Sequence, residues 1–247
     1  MKGPLFYSKI LLFGEYGIIQ DSKGLSIPYN FYNGALKKED HPSQDAIASN
    51  GHLKRFVTYL ESLQTEQPDL VQFDIATLQK DVNEGMYFDS SIPQGYGVGS
   101  SGALVAAIYD KYAQHKITVL ENLTREKLLE LKTIFSQMES FFHGKSSGLD
   151  PLNSYLSIPI LINSKDNIEA TGIPTQSFDG KGAVFLLDSG IVGETAPMVN
   201  IFMENLKDQG FRTMLKSQFV KHTDACVENF LVGDIKALFS NTKKLSK

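Results

Sequence analysis

Apolar and polar positions in this chain follow two periods. From Leu5 to Phe13 they alternate loosely and then run apolar up to Gly14, the pattern of a strand. Gly17 to Asn33 mixes apolar and aromatic residues broken by Gly24 and Pro28, which predicts short strands in a meander. Between Asn50 and Leu63 the apolar set Leu53, Phe56, Val57, Leu60 and Leu63 recurs at helical spacing, predicting an amphipathic helix. Val71–Ala76 and Met86–Ser91 read as two further strands. Ala103 to Tyr112 is small and apolar until Asp110, which predicts a buried helix. A second long helix is predicted over Thr124–Phe142, carrying Leu128, Leu131, Ile134, Phe135 and Met138. Tyr155–Ile162 reads as a strand that Pro159 confines to an edge. Ala183–Leu187 reads as a short buried strand. Pro197–Leu215 and Gln218–Val232 read as helices, with Gly233 placed as a C-cap.

Strands and helices are therefore mixed without a strict strand–helix repeat. That pattern predicts an α+β fold rather than a doubly wound parallel sheet. Ser, Asp, Gly and Pro accumulate between Asn163 and Gly182, so a domain boundary is expected there, dividing the chain into 1–172 and 173–247.

Composition narrows the function classes. The chain has 247 residues, enough for one large or two modest cores. Its net charge of −4 gives no support to a nucleic-acid or anionic-membrane role. Cys226 is the only cysteine, so an internal disulfide and a thiolate zinc site are excluded. His41, His52, His115 and His222 show no metal-ligand spacing. No apolar run approaches the roughly 20 residues of a membrane span, and the start of the chain lacks a signal-peptide pattern. A cytoplasmic protein is expected, and the Asn122-Leu-Thr124 triplet is read as a chance match to a glycosylation acceptor.

The sharpest chemical signal is Pro93-Gln-Gly-Tyr-Gly-Val-Gly-Ser-Ser-Gly102, which opens directly into a predicted helix. Glycines permit positive φ and a close backbone approach to a ligand. A helix N-terminus adds unpaired N–H groups and the positive end of a dipole. Together they make a nest for phosphate oxygens, with the Ser100 and Ser101 hydroxyls in the same concavity. The plain alternative is a glycine-rich turn that holds nothing. The Walker pattern is absent because no lysine follows the loop. Gly97, Gly99 and Gly102 satisfy the dinucleotide spacing, but no strand runs into Gly97, so that match is weak.

A second signal is Glu139-Ser-Phe-Phe-His143-Gly144-Lys-Ser-Ser147-Gly148-Leu-Asp150. Phosphoryl transfer needs a carboxylate and a hydroxyl to hold magnesium, a second carboxylate at the attacking alcohol, and a cation for the developing charge. Lys9 is the candidate cation, because a lysine inside an apolar strand is expensive unless its ammonium is paired or reaches a polar cavity. Taken singly, each has an ordinary reading: Glu139 on a solvated helix face, Lys9 pointing to water, His143 packing in a turn.

Taken together, three segments resemble the GHMP kinases, and among them the mevalonate kinase branch. They are Ser8-Lys9 to Gly17, Pro93 to Ala103, and Glu139 with His143 to Asp150. The resemblance implies a two-domain GHMP-kinase-like fold of mixed sheets and helices. It implies ATP and Mg2+ as cofactors and a small-molecule alcohol as substrate, mevalonate first. Another acceptor such as phosphomevalonate or a sugar, or a non-catalytic nucleotide-binding member, remains as the alternative. By resemblance Asp150 and Lys9 are catalytic. Gly95, Gly97, Gly99, Ser100, Ser101 and Gly102 bind the ATP phosphates. Ser101 and Glu139 hold the metal, and Glu15, His143 and Thr195 lie on the substrate side. A homodimer is left open. The chain departs from the family pattern in carrying Tyr16 where histidine is frequent and Ser146 where proline is usual. The family's third, glycine-rich motif has no counterpart after Asp188, where Gly190, Gly193, Gly210 and Gly233 stand isolated. An incomplete second domain is the resulting expectation.

Overall fold

The computed structural model describes residues 3–118, 123–174, 185–188, 190–193 and 195–246. Strands β1 (Phe6–Phe13) and β2 (Gly24–Lys37) come first, followed by helices α1 (Gln44–Glu66) and α2 (Ile75–Asn83). Strand β3 (Tyr87–Ser90) precedes three helices, α3 (Ser100–Tyr112), α4 (Arg125–His143) and α5 (Leu149–Leu156). The hairpin β4 (Ile160–Ser164) and β5 (Asn167–Ala170) then leads to α6 (Thr195–Asn205), α7 (Gln209–Met214), α8 (Lys221–Val232) and α9 (Ile235–Leu245). The fold is the α+β mixture that the sequence pattern predicts.

Two compact units emerge. One comprises Met1–Ile10, Pro28–Pro93 and Val98–Ser157; the other comprises Leu11–Ile27, Gln94–Gly97 and Ile158–Lys247. The division expected from the sequence, 1–172 and 173–247, is linear. The compact units interleave, since β1 and β2 each begin in one and end in the other.

In the first unit, the last residues of β2 pair antiparallel with β3, from Gly34 opposite Ser90 to Lys37 opposite Tyr87. Its helices start where small polar side chains satisfy orphan N–H groups. Ser43 accepts from the Ala46 N–H, Asp74 from Thr77 and Thr124 from Lys127. Helix α3 is buried almost throughout, and its Ala103, Val105, Ala106 and Ile108 are fully enclosed. The Tyr109 ring stands edge-on to Phe135 at 5.0 Å and to Tyr155 at 5.2 Å, tying α3 to α4 and α5. Asp81 on α2 fastens two further segments, the end of α3 and the residue after β2. It accepts from Lys111 Nζ at 2.8 Å, Tyr112 Oη at 2.5 Å and Lys38 Nζ at 2.9 Å.

In the second unit, the first residues of β2 pair antiparallel with β4, Leu25 opposite Leu161. β4 pairs in turn with β5, Ile162 opposite Ile168. Phe202, Leu206 and Leu215 form a small core with Tyr16, Phe211 and Phe219 against it. Lys23 bridges to α8 twice: its backbone N–H reaches Asp224 Oδ1 at 2.7 Å and its Nζ reaches Glu228 at 2.5 Å. Cys226, also on α8, is completely enclosed.

Five stretches differ from the sequence reading. Gly17–Asn33 is not a run of short strands but a 3-10 turn at Gly17–Gln20 followed by one long strand. Gly24 opens that strand, and only Pro28 sits inside it. The predicted Val71–Ala76 strand reduces to a single bridge, Phe73 opposite Ala113, because the Asp74 cap starts α2 at Ile75. Tyr155 and Leu156 end helix α5 instead of starting a strand. The predicted Pro197–Leu215 helix is broken at residues 206–208, where Asp208 caps α7. Of the predicted Ala183–Leu187 strand, 183–184 lie outside the described residues, and 185–187 have no regular structure. Among the described residues no helix is long and apolar enough to cross a membrane.

Candidate active site

The site grows from the turn between loop and helix at Gly99. Gly99 has a φ of +84° and is the N-cap of α3, with no side-chain cap. A Cβ there would lie 3.0 Å from Lys9 Cγ. The Lys9 N–H donates to the Val98 carbonyl at 3.0 Å, so the end of the loop is laid directly on β1. By helix geometry the first N–H groups of α3, those of Ser100, Ser101 and Gly102, have no acceptor within the helix. They point outward at the positive end of the dipole, which suits an anion. Gly95 and Gly97 also have positive φ, +78° and +68°.

Gly102 permits the second close approach. A Cβ on it would sit 2.7 Å from the Asp150 carbonyl carbon and 2.8 Å from Pro151 N. The missing side chain lets α3 lie against the start of α5, which brings Asp150 to Lys9. Lys9 Nζ is 2.9 Å from Asp150 Oδ1; the lysine side chain is 9% exposed and the aspartate 34%. The sequence argument that a strand lysine must find a partner is thus met by a carboxylate from the far end of the same unit.

Glu139 lies near the C-terminal end of α4 and is 3% exposed, not on a solvated face. Its Oε1 accepts from Ser101 Oγ at 2.9 Å and its Oε2 from Ser146 Oγ at 2.5 Å. Burial, and then the negative charge of Asp150, push the Glu139 carboxyl up to about 7, while the two serine donors and the Lys9 ammonium act in the opposite sense. Exposed His143, the last residue of α4, places Nε2 3.0 Å from Ser101 Oγ.

One structural unit thus gathers Lys9, Gly99, Ser100, Ser101, Gly102, Glu139, His143 and Asp150. Gly95, Gly97, Glu15 and Thr195 belong to the other unit. Glu15 is exposed just after Gly14, and Thr195 opens α6. Sequence reasoning assigned Ser146 no role. Its only signal was that a serine occupies a place where the family pattern has proline.

A hydroxyl and a carboxylate 2.9 Å apart are hard oxygen donors of the kind magnesium takes when phosphates complete its shell. Among the described residues no three His, Cys, Asp or Glu groups converge on a metal position.

Residues 62–157 match the family model described as GHMP kinases N terminal domain. This segment is thus similar to the N-terminal domain of the GHMP kinases. It contributes α3, Glu139 and Asp150 of the site. A likeness in fold to solved mevalonate kinases extends over nearly the whole chain. A crystal structure of mevalonate kinase from L. major in complex with R-mevalonate is 16% identical with a TM-score of 0.54, covering 98% of this chain and 75% of that one. The Methanococcus jannaschii mevalonate kinase is 15% identical with a TM-score of 0.53, covering 100% and 79%. The Lin0012 protein from Listeria innocua is 14% identical with a TM-score of 0.54, covering 98% and 76%. At such identities the likeness establishes the fold. No curated protein matches the sequence significantly.

Proposed function

We propose that this protein transfers the γ-phosphoryl group of ATP to the hydroxyl of a small molecule, with mevalonate the foremost acceptor and 5-phosphomevalonate the product. The observation that carries the reading is the Lys9–Asp150 pair at 2.9 Å, beside a helix N-terminus opened by Gly99 and Gly102. Phosphoryl transfer demands little covalent chemistry from a protein and much positioning and charge stabilisation. The N–H groups of Ser100, Ser101 and Gly102, with the glycine loop from Gly95, would bind the triphosphate. Asp150 would take the proton of the attacking hydroxyl as its oxygen bonds to phosphorus, and the bond to the ADP oxygen breaks. Lys9 would hold Asp150 in line and offset the charge that develops on the transferred group. Ser101 and Glu139 would hold Mg2+, which when bound neutralises charge between the phosphates. Glu15, His143 and Thr195 are proposed on the acceptor side. The match of residues 62–157 to the GHMP kinase N-terminal domain model and the likeness in fold to solved mevalonate kinases both support this reading.

An ADP-release assay with MgATP and a panel of mevalonate, phosphomevalonate, galactose and homoserine tests it. ADP released only with mevalonate is the expected result. Turnover of a different alcohol alone would reject the acceptor and keep the kinase, and no turnover with any alcohol together with no MgATP binding would reject both.

A further inference from the structure

The hydrogen bonds around Ser146 single out a residue that neither the family pattern nor the proposed roles includes. Ser146 stands in the turn between α4 and α5. Its Oγ accepts the Gly148 N–H at 3.0 Å and donates to Glu139 Oε2 at 2.5 Å. Its carbonyl accepts from Ser136 Oγ on α4 at 2.6 Å. Gly148 fixes the other side of the turn. Its φ is +74°, and any Cβ there would run into the Lys132 carbonyl oxygen and lie 2.7 Å from Ser136 N. The turn is therefore clamped to α4 at two points. Because the Gly148 N–H occupies a lone pair of Ser146 Oγ, the single hydroxyl proton is directed at the carboxylate.

We infer that Ser146 is a positioning residue for metal–nucleotide binding: it holds one oxygen of Glu139 so that the other meets Ser101 Oγ in a fixed orientation. This rests on the proposed role of Ser101 and Glu139. A carboxylate that is 3% exposed has almost no water to replace a lost donor. Without the Ser146 hydroxyl, Glu139 Oε2 loses the hydrogen bond that sets the rotation of the carboxylate. The pair that would ligate the ion then loses its shared geometry. Outer hydrogen-bond partners of metal ligands typically change metal affinity about 10–100-fold. The effect is expected on the ion and not on the nucleotide, since the α3 N–H groups do not touch Ser146.

The test is a calorimetric titration of Mn2+ into the ADP-loaded protein, with ADP binding in EDTA measured alongside. Ser146→Val and Ser146→Thr form the deciding pair, since they share a shape and differ by the hydroxyl; Ser146→Ala is the third variant. The expected result is about 10–100-fold weaker Mn2+ binding in the Val and Ala variants, near-native binding in Thr, and unchanged metal-free ADP affinity in all three. Equal Mn2+ affinity in Thr and Val overturns the role of Ser146 and leaves the kinase reading standing. Absence of Mn2+ binding to the ADP-loaded native protein overturns both. A parallel loss of metal-free ADP affinity in Val would show general damage to the fold and also overturn the positioning role.

Discussion

The ammonium of Lys9 lies 2.9 Å from Oδ1 of Asp150, although one residue sits on the first strand and the other at the start of α5. The pairing is made possible by two glycines: Gly99, against which the lysine stem lies, and Gly102, over which the Asp150 backbone passes. Asp150→Asn keeps the shape and loses the base. Turnover is expected to fall about 10²–10⁴-fold while nucleotide affinity stays within a factor of a few. Steady-state kinetics with ADP titrations check this, and near-native turnover would remove Asp150 from the mechanism.

Gly102 and Gly51 should respond oppositely to alanine. Gly51 lies inside α1 with nothing within 4 Å of its virtual Cβ. Gly51→Ala is expected to stabilise by about 0.5–1 kcal/mol, the usual helix gain over glycine. Gly102→Ala forces a methyl group into the Asp150–Pro151 backbone, so a loss of about 1–3 kcal/mol is expected, with weakened nucleotide binding. Urea unfolding of the two variants side by side reads the contrast; equal stability would contradict the close helix approach.

Glu139 makes a prediction with a definite sign. Its carboxyl is raised from 4.5 to about 7 in the folded chain, chiefly by burial and then by Asp150. The folded state therefore binds more protons than the unfolded state between those values. The stability it contributes is fully present below about pH 4.5, is lost as the pH rises to about 7, and changes no further above that. Glu139→Gln should flatten this slope, whose total is of the order of a few kcal/mol. Urea midpoints from pH 5 to 8 in EDTA measure it. An unchanged slope in the variant would place the proton elsewhere.

Asp81 should behave in the reverse way. Burial raises its pKa, but hydrogen bonds from Lys111, Tyr112 and Lys38 outweigh that and hold the carboxyl well below its ordinary value. Its stabilisation is thus present above about pH 4 and lost as the pH falls further. Asp81→Asn is expected to cost about 1–3 kcal/mol at pH 7 and progressively less below pH 4. Thermal unfolding across that range decides the matter, and a pH-independent loss would contradict an ionised hub.

The helices around the site were legible in the sequence because small residues in Ala103–Tyr112 and the spaced leucines and phenylalanines of α4 carry a strong helical period. Lys9 was legible through the cost of leaving a lysine unpaired in an apolar strand. The long β2 was not, because Pro28 looks like punctuation, although pairing to β4 on one side of it and to β3 on the other carries the strand through. Helix α5 was hidden by its length: eight residues cover little more than two turns, too few for a period to show beside the apolar run that follows. Ser146 was visible only as a departure, since no local pattern tells that a turn serine will reach a carboxylate seven positions back.

The enclosed Cys226 gives the protein a built-in chemical clock. Being the sole thiol in the chain and fully shielded within α8, it can react with an alkylating reagent only while that helix is open. The rate of its modification under native conditions therefore counts the openings of the second unit alone, and can be followed without introducing a single foreign residue.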